Sequence, residues 1–208
     1  MIDWDSCVLW LDSKYFSESY WWDKSRYCNN GVVHGARWEA YSFYFDGNDD
    51  YINCGNNESF DITDAITIVA SIKLMQLDPI GGSGQHIIRK DEVYAFGIGT
   101  GGKIGFWLHD NNGWHGSWTF SNNSINTEQH VLAGRWNGNV MEVFIDGKKD
   151  SNSLNLDTTL TVNEEDVYLG NFIAANEALK GYITYLTLFK IGLSDSEIKI
   201  LSDLIYRR

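Results

Sequence analysis

Residues 42–55, SFYFDGNDDYINCG, carry the reading on which the fold class rests. Phe43 and Phe45 alternate with Ser42 and Tyr44, as a pleated strand with one dry face requires. Asp46-Gly47 follows as a turn, because glycine tolerates positive φ and aspartate bonds its own backbone. Tyr51-Ile52 opens a second strand, and Asn48, Asp49 and Asp50 set oxygen atoms at the tip. The spacing predicts a hairpin. Val143-Phe144-Ile145-Asp146-Gly147 repeats the strand-to-Asp-Gly pattern later in the chain.

Short apolar runs of period two recur on both sides of this stretch. Residues 8–11 read as a first strand, and 66–74 alternate with Ile66, Ile68, Ala70, Ile72 and Leu74 on one face. Strands are predicted at 94–98 and 103–109, then at 118–120, 130–136, 140–146, 167–170 and 181–190. Asn137-Gly138 is a hairpin dipeptide. A glycine-rich loop is expected at 81–84. Residues 12–35 read as a long polar and aromatic excursion, of the kind that is functional or packed by its own side chains. A helix is predicted at the end, where Ser194 and Glu197 form a capping box and Ile198, Leu201, Leu204 and Ile205 an apolar stripe. Many short strands between turn signals imply an antiparallel sandwich or barrel.

A length of 208 residues suits one all-β domain over residues 1–208. Hydrophobic residues make up 43% and aromatic ones 14%, enough for a large core with aromatic rings left for a surface. A net charge of −12 argues against a nucleic-acid partner, which needs clustered Lys and Arg, and is compatible with neutral sugars or cations. No stretch approaches ~18 apolar residues, so no membrane span is expected. The opening MIDWDSC lacks the basic and apolar regions of a signal peptide. The chain is therefore expected to be soluble and cytoplasmic, or to reach the cell exterior or a virion surface by another route. Cys7, Cys28 and Cys54 make a poor disulfide framework; a Cys7–Cys28 bridge and three buried thiols both stay open.

Asp23-Lys24-Ser25, Asn29-Asn30-Gly31, Gly35-Ala36, Phe45-Asp46-Gly47 and Asp50-Tyr51-Ile52 form one half of an ordered set. Residues 62–68 (ITDAITI), Phe144-Ile145-Asp146-Gly147, Leu169-Gly170, Gly181-Tyr182-Ile183, and Leu193-Ser194 with Glu197-Ile198 form the other. From about Val8 to Leu204 the set resembles the laminin-G-like jelly roll of the concanavalin A-like lectin and glucanase superfamily. The resemblance implies two curved antiparallel sheets stacked as a β-sandwich, with a short C-terminal helix. It does not imply one function, because this fold serves lectins, adhesins, glycosidases, lyases and capsid-associated proteins. It also implies a structural calcium, Ca2+, near Asp23, Asn29 and Asn30. Gly181-Tyr182-Ile183 is followed here by Thr184-Tyr185, where the family commonly has Asp-Glu.

A glucanase would place carboxylates two apart along one strand, on one face of the sheet. No such run occurs, and Glu164-Glu165-Asp166 is contiguous, so no catalytic residue is assigned. Residues 97–103, GIGTGGK, have P-loop spacing but lead into Ile104 and a strand, and so read as a hairpin turn. The binding signal is aromatic. Trp107, His109, Asn111, Trp114, His115 and Trp118 crowd into a dozen residues, and sugars are held by aromatic faces with a few polar groups for their hydroxyls. The competing reading is that these rings cover a sheet or fill a subunit contact, homo-oligomeric or otherwise. Tyr15, Phe16, Tyr20, Trp21 and Trp22 carry the same two readings, with packing favoured because they lie in a long loop that needs anchoring. The sequence thus points to a non-enzymatic recognition or adhesion module with a glycan or polysaccharide ligand. The alternative is a viral decoration, head-fibre or appendage protein contacting capsid partners.

Overall fold

The structure, a computed structural model, describes residues 1–79, 84–171 and 177–206. In chain order the strands are β1 (Cys7–Phe16), β2 (Tyr20–Asp23), β3 (Gly31–His34), β4 (Arg37–Glu39), β5 (Ser42–Asp46), β6 (Tyr51–Asn53), β7 (Ile66–Leu74) and β8 (Gly84–Lys90). They continue as β9 (Tyr94–Gly99), β10 (Lys103–Asp110), β11 (Gly113–Ser117), β12 (Gln129–Trp136), β13 (Val140–Ile145), β14 (Lys148–Asn155), β15 (Val167–Leu169) and β16 (Lys180–Phe189), before α1 (Asp195–Tyr206). Hydrogen-bonded neighbours follow the order β11-β10-β9-β8-β15-β6-β3-β2-β1-β16-β7-β12-β13-β14, with β5 and then β4 branching from β16.

That path folds into two layers, and β2 passes from one to the other. β3, β6, β15, β8, β9, β10 and β11 form the first layer; β1, β16, β7, β12, β13 and β14, with β5 and β4, form the second. Their inward residues share one core that takes in Ile68, Ile72, Phe96, Phe106, Leu132 and Leu186. The layers approach closely because Gly134 of β12 has no side chain. A Cβ there would lie 3.0 Å from the Phe96 ring and 3.1 Å from the Phe106 ring across the core. The architecture is a jelly-roll β-sandwich.

Residues 42–55 alternate as expected, with Phe43, Phe45 and Ile52 buried, but they are not a hairpin. β5 pairs with β4 and β16, whereas β6 pairs with β3 and β15, so the stretch crosses between layers. The acidic residues build the corner. Asn48 N–H donates to Asp46 Oδ1 (2.8 Å), and Asp46 N–H donates to Asp50 Oδ2 (2.9 Å). Asp50 is buried, which raises its pKa. A Cβ on Gly35 would sit 2.1 Å from Asp50 Oδ1, so glycine makes room for that carboxylate.

Other expectations also changed. Residues 12–35 are not an open excursion, since β1 runs to Phe16 and β2 and β3 follow. Residues 118–120 are turn and coil rather than strand. The glycine loop at 81–84 lies outside the described residues except for Gly84, which opens β8. The β9–β10 and β12–β13 hairpins form as read. So does the capping box: Ser194 N–H donates to Glu197 Oε2 (3.0 Å) and Glu197 N–H to Ser194 Oγ (3.3 Å). α1 buries Ile198, Leu201 and Ile205 on the outer face of the second layer, against Val69, Val131 and Tyr185, while Leu204 stays exposed. All three cysteines are free; Cys7 and Cys54 are buried, but Cys28 is exposed. Among the described residues no helix is long and apolar enough to cross a membrane.

Candidate functional site

Alternation along β9 and β10 fixes the site. Tyr94, Phe96, Ile98, Ile104, Phe106 and Leu108 face the core. Ala95, Gly97, Gly99, Gly105, Trp107 and His109 therefore face outward. Glycine at outward strand positions weakens a sheet and marks a close approach by another group. Here that group is tryptophan. A Cβ on Gly84 would lie 2.0 Å from Trp118 Cε3, one on Gly99 would lie 2.2 Å from the Trp118 carbonyl oxygen, and one on Gly105 would lie 2.3 Å from Trp107 Cη2. The glycines form a bare floor, and Trp118 folds back from the end of β11 to lie on it.

Trp118 meets Trp107 edge to face, with ring centroids 4.3 Å apart and planes at 76°. His86 of β8 lies 4.9 Å from the Trp118 ring. Trp114 of β11 stands opposite His109 in the β10–β11 register, their rings 5.0 Å apart, and the Arg89 guanidinium lies 5.1 Å from the Trp114 ring. These groups enclose a concavity of about 230 Å³ lined by His86, Arg89, Ala95, Trp107, Trp114, Trp118 and Glu177. Its polar wall is continuous: His86 Nε2 is 2.9 Å from Glu177 Oε2 and 3.3 Å from an Arg89 guanidinium nitrogen. Arg89 Nε donates in turn to Asp91 Oδ1 (3.1 Å). Burial lowers the pKa of His86 despite the Glu177 carboxylate, favouring a neutral imidazole.

The structure brings Trp107, Trp114 and Trp118 together and leaves the other three candidates outside the lining. His109 stands behind Trp114 with Nδ1 3.1 Å from Thr161 Oγ1. Asn111 is exposed at the tip of the β10–β11 turn. His115 pairs in register with core-facing Leu108, so it points away from the Trp114 face; its Nε2 is 3.0 Å from Asp110 Oδ1. Burial opposes ionisation of Asp110, but His115, Thr158 and the Asn112 amide outweigh it and hold the carboxyl far below the usual range. His86, Arg89, Ala95 and Glu177 were not singled out from sequence. The legible sign was Gly97, Gly99 and Gly105 at alternate positions on strands.

Asp23, Asn29 and Asn30 also come together, but as placed they do not fit a calcium ion. Asp23 Oδ1 accepts from Trp10 N–H (2.7 Å) and Ser25 N–H (2.9 Å); Oδ2 accepts from Ser25 Oγ–H (2.6 Å) and Asn29 N–H (2.7 Å). Asn30 Oδ1 accepts from Asp23 N–H (2.9 Å), while Asn29 Nδ2 donates to the Val8 carbonyl and Ser59 Oγ. A cation would face donors where it needs lone pairs. Asp23→Ala is expected to lower stability by ~2 kcal/mol through unpaired amides, and dialysis against EDTA to leave the wild-type melting temperature unchanged. Calorimetry of both checks this. The Asp46, Asp49 and Asp50 carboxylates lie within 4.8 Å of one another, and the first and last are engaged by amides of the corner. In the N-terminal aromatic group, Trp21 is buried, Phe16 stacks on Trp38 (4.4 Å), Tyr20 stacks on Trp22 (5.0 Å), and Lys24 caps Tyr15.

A two-layer antiparallel sandwich with this strand order defines a jelly-roll fold. The profile of the concanavalin A-like lectin/glucanases superfamily matches residues 46–199, and the chain belongs to that family. No curated protein sequence matches it. Among solved structures it is similar to the binding domain of Paraclostridial Mosquitocidal Protein 1, with a TM-score of 0.76 and 16% identity over 98% of this chain and 53% of that one. It is also similar to the binding domain of botulinum neurotoxin DC in complex with SialylT (TM-score 0.73, 18% identity, 97% of this chain and 52% of that one). A third is a structure on cell entry of botulinum neurotoxin type C, described as dependent on interaction with two ganglioside molecules (TM-score 0.72, 15% identity, 97% and 51%). The chain spans about half the length of these proteins.

Proposed function

We propose that the chain is a non-catalytic recognition module, displayed on a particle or cell surface, that binds a glycan in the cleft of Trp107, Trp114 and Trp118. The observation that carries this reading is the glycine floor. Strand positions are left bare so that two tryptophans lie perpendicular on the sheet, with His86, Arg89 and Glu177 along one wall. Aromatic faces take the C–H surfaces of a sugar, and the polar wall takes its hydroxyls. The toxin domains of the same fold, solved with a sialylated ligand or dependent on gangliosides for cell entry, support glycan as the class. Hydrolysis is disfavoured by the same geometry, because among the described residues Glu177 is the one carboxylate in the lining and glycosidases use two.

A glycan array with labelled wild-type protein and Trp114→Ala tests the reading. Trp114 is 38% exposed, so its removal is expected to leave the melting temperature within about a degree while weakening binding on the order of tenfold, the loss of one aromatic face. A flat array with folded wild-type protein sinks the glycan reading and favours a protein contact at the same rings.

A further inference from the structure

A second concavity, of about 360 Å³, opens on the outer face of the other layer, beside the end of α1. Its lining differs in kind from that of the tryptophan cleft. Ser13, Ser42 and Thr184 bring hydroxyls, Gln129 an amide, Asp12 a carboxylate and Lys14 an ammonium, while Tyr41, Tyr185, Ala40 and Ile205 add apolar surface. Ser42 Oγ and Thr184 Oγ1 are hydrogen bonded to each other (2.8 Å), and Gln129 Nε2 donates to Ser71 Oγ (2.9 Å). The residues that bring hydroxyls, amide and charge all stand on β1, β5, β12 and β16, so sheet geometry fixes their spacing.

Tyr41 supplies the second observation. β4 and β5 are joined by Ala40-Tyr41, with φ of +50° and +62°, a turn that ordinarily takes Asn-Gly because both positions are left-handed. Tyr41 is 74% exposed, so burial does not account for a ring held in this conformation. The turn is instead pinned above β1: the Tyr41 carbonyl accepts from Ser13 Oγ (2.5 Å), and Trp38 Nε1 donates to the Ser13 carbonyl (2.9 Å). Retained strain of this kind, here displaying an aromatic ring at the rim of a cavity, clusters at ligand clamps.

We propose that this concavity is a second binding site, for a neutral pyranose stacked on Tyr41 and hydrogen bonded by Asp12, Ser42, Gln129 and Thr184. Asp12 and Lys14 balance in charge, which suits a neutral ring over an anion. The two concavities lie on different layers and face opposite ways. One copy of the chain therefore carries two sugar sites pointing apart, which is the geometry for bridging two glycans.

The test is a nuclear magnetic resonance titration of nitrogen-labelled protein with glucose, galactose, N-acetylglucosamine and N-acetylneuraminic acid, each to ~50 mM so that millimolar affinity is read. At least one neutral sugar is expected to shift the Ser13, Ser42 and Thr184 amides and the Gln129 side chain. Tyr41→Gly, which suits the left-handed turn and keeps the fold, is expected to weaken those shifts roughly fivefold to tenfold. Trp114→Ala is expected to leave them intact. The absence of shifts at these four positions with every neutral sugar overturns the proposal, as does a response to N-acetylneuraminic acid alone or one that Tyr41→Gly leaves unchanged. Shifts here with none around Trp107 and Trp118 overturn the tryptophan reading and leave this one standing.

Discussion

Gly84→Ala is expected to abolish ligand binding at the tryptophan cleft and to destabilise the fold by ~3 kcal/mol, the upper end of what overpacking produces. The added methyl would lie 2.0 Å from Trp118 Cε3 and Cζ3 and 2.4 Å from Cδ2, inside the ring's own volume. The ring cannot slide along the sheet, because its backbone is set against Gly99, where a Cβ would approach the Trp118 carbonyl oxygen to 2.2 Å. Trp118 must therefore lift away, and Trp107 loses its edge-to-face partner and His86 its neighbouring ring. Near-ultraviolet circular dichroism reads the loss of the Trp107–Trp118 pair, and thermal denaturation reads the stability. A double-mutant cycle separates the two consequences. With Trp118→Ala already in place, Gly84→Ala is expected to lower stability little further, because the collision partner is gone, while binding stays lost. Full binding by Gly84→Ala would mean that Trp118 is not part of the site.

The glycine floor shows how far the sequence could be read. Period-two alternation in residues 66–74 and 103–109 depends only on which side of a strand is dry, and that is local information; β7 and β10 formed as read. The capping box at Ser194 and Glu197 is equally local. Residues 42–55 were legible as two strands, but not as strands in different layers. The partners of β5 are β4 and β16, and β16 lies far away in sequence. β2 and β3 escaped notice because each has four residues, and β2 exposes aromatic side chains at Tyr20 and Trp22. The site divides in the same way. Trp107, Trp114 and Trp118 are close together in sequence and were found together. His86 and Arg89 reach the cleft from β8, and Glu177 from just before β16, far away in sequence. His115 falls outside the lining that its neighbour Trp114 joins, because adjacent strand residues point to opposite faces.

Lys90→Met is expected to destabilise the protein by ~3–5 kcal/mol, the range for breaking a buried charged network from one side. Lys90 is 0% exposed, one residue from Arg89 on β8, and faces inward where Arg89 faces the cleft. Its ammonium donates to Asn56 Oδ1, to the Asn163 carbonyl (3.0 Å) and to the Glu165 carbonyl (2.7 Å), with Asp61 Oδ1 at 3.7 Å. One side chain thereby ties the segment between β6 and β7 to the one that leads into β15. Methionine fills the stem but leaves two backbone carbonyls and an amide oxygen facing hydrocarbon, each costing about 1–3 kcal/mol if unpaired. Urea denaturation of both proteins measures the loss. A pH series gives a sign that packing alone would not. Burial lowers the Lys90 pKa below its ordinary 10.5, although Asp61 and Asp166 oppose the shift. Between the folded and the unfolded pKa the unfolded chain holds the proton that the folded protein has released, so stability rises with pH across that window. Methionine does not titrate. The gap between wild type and Lys90→Met is therefore expected to widen as pH climbs towards 10.5, and a gap that narrows instead would show that the folded protein holds the Lys90 proton more tightly than the unfolded chain does.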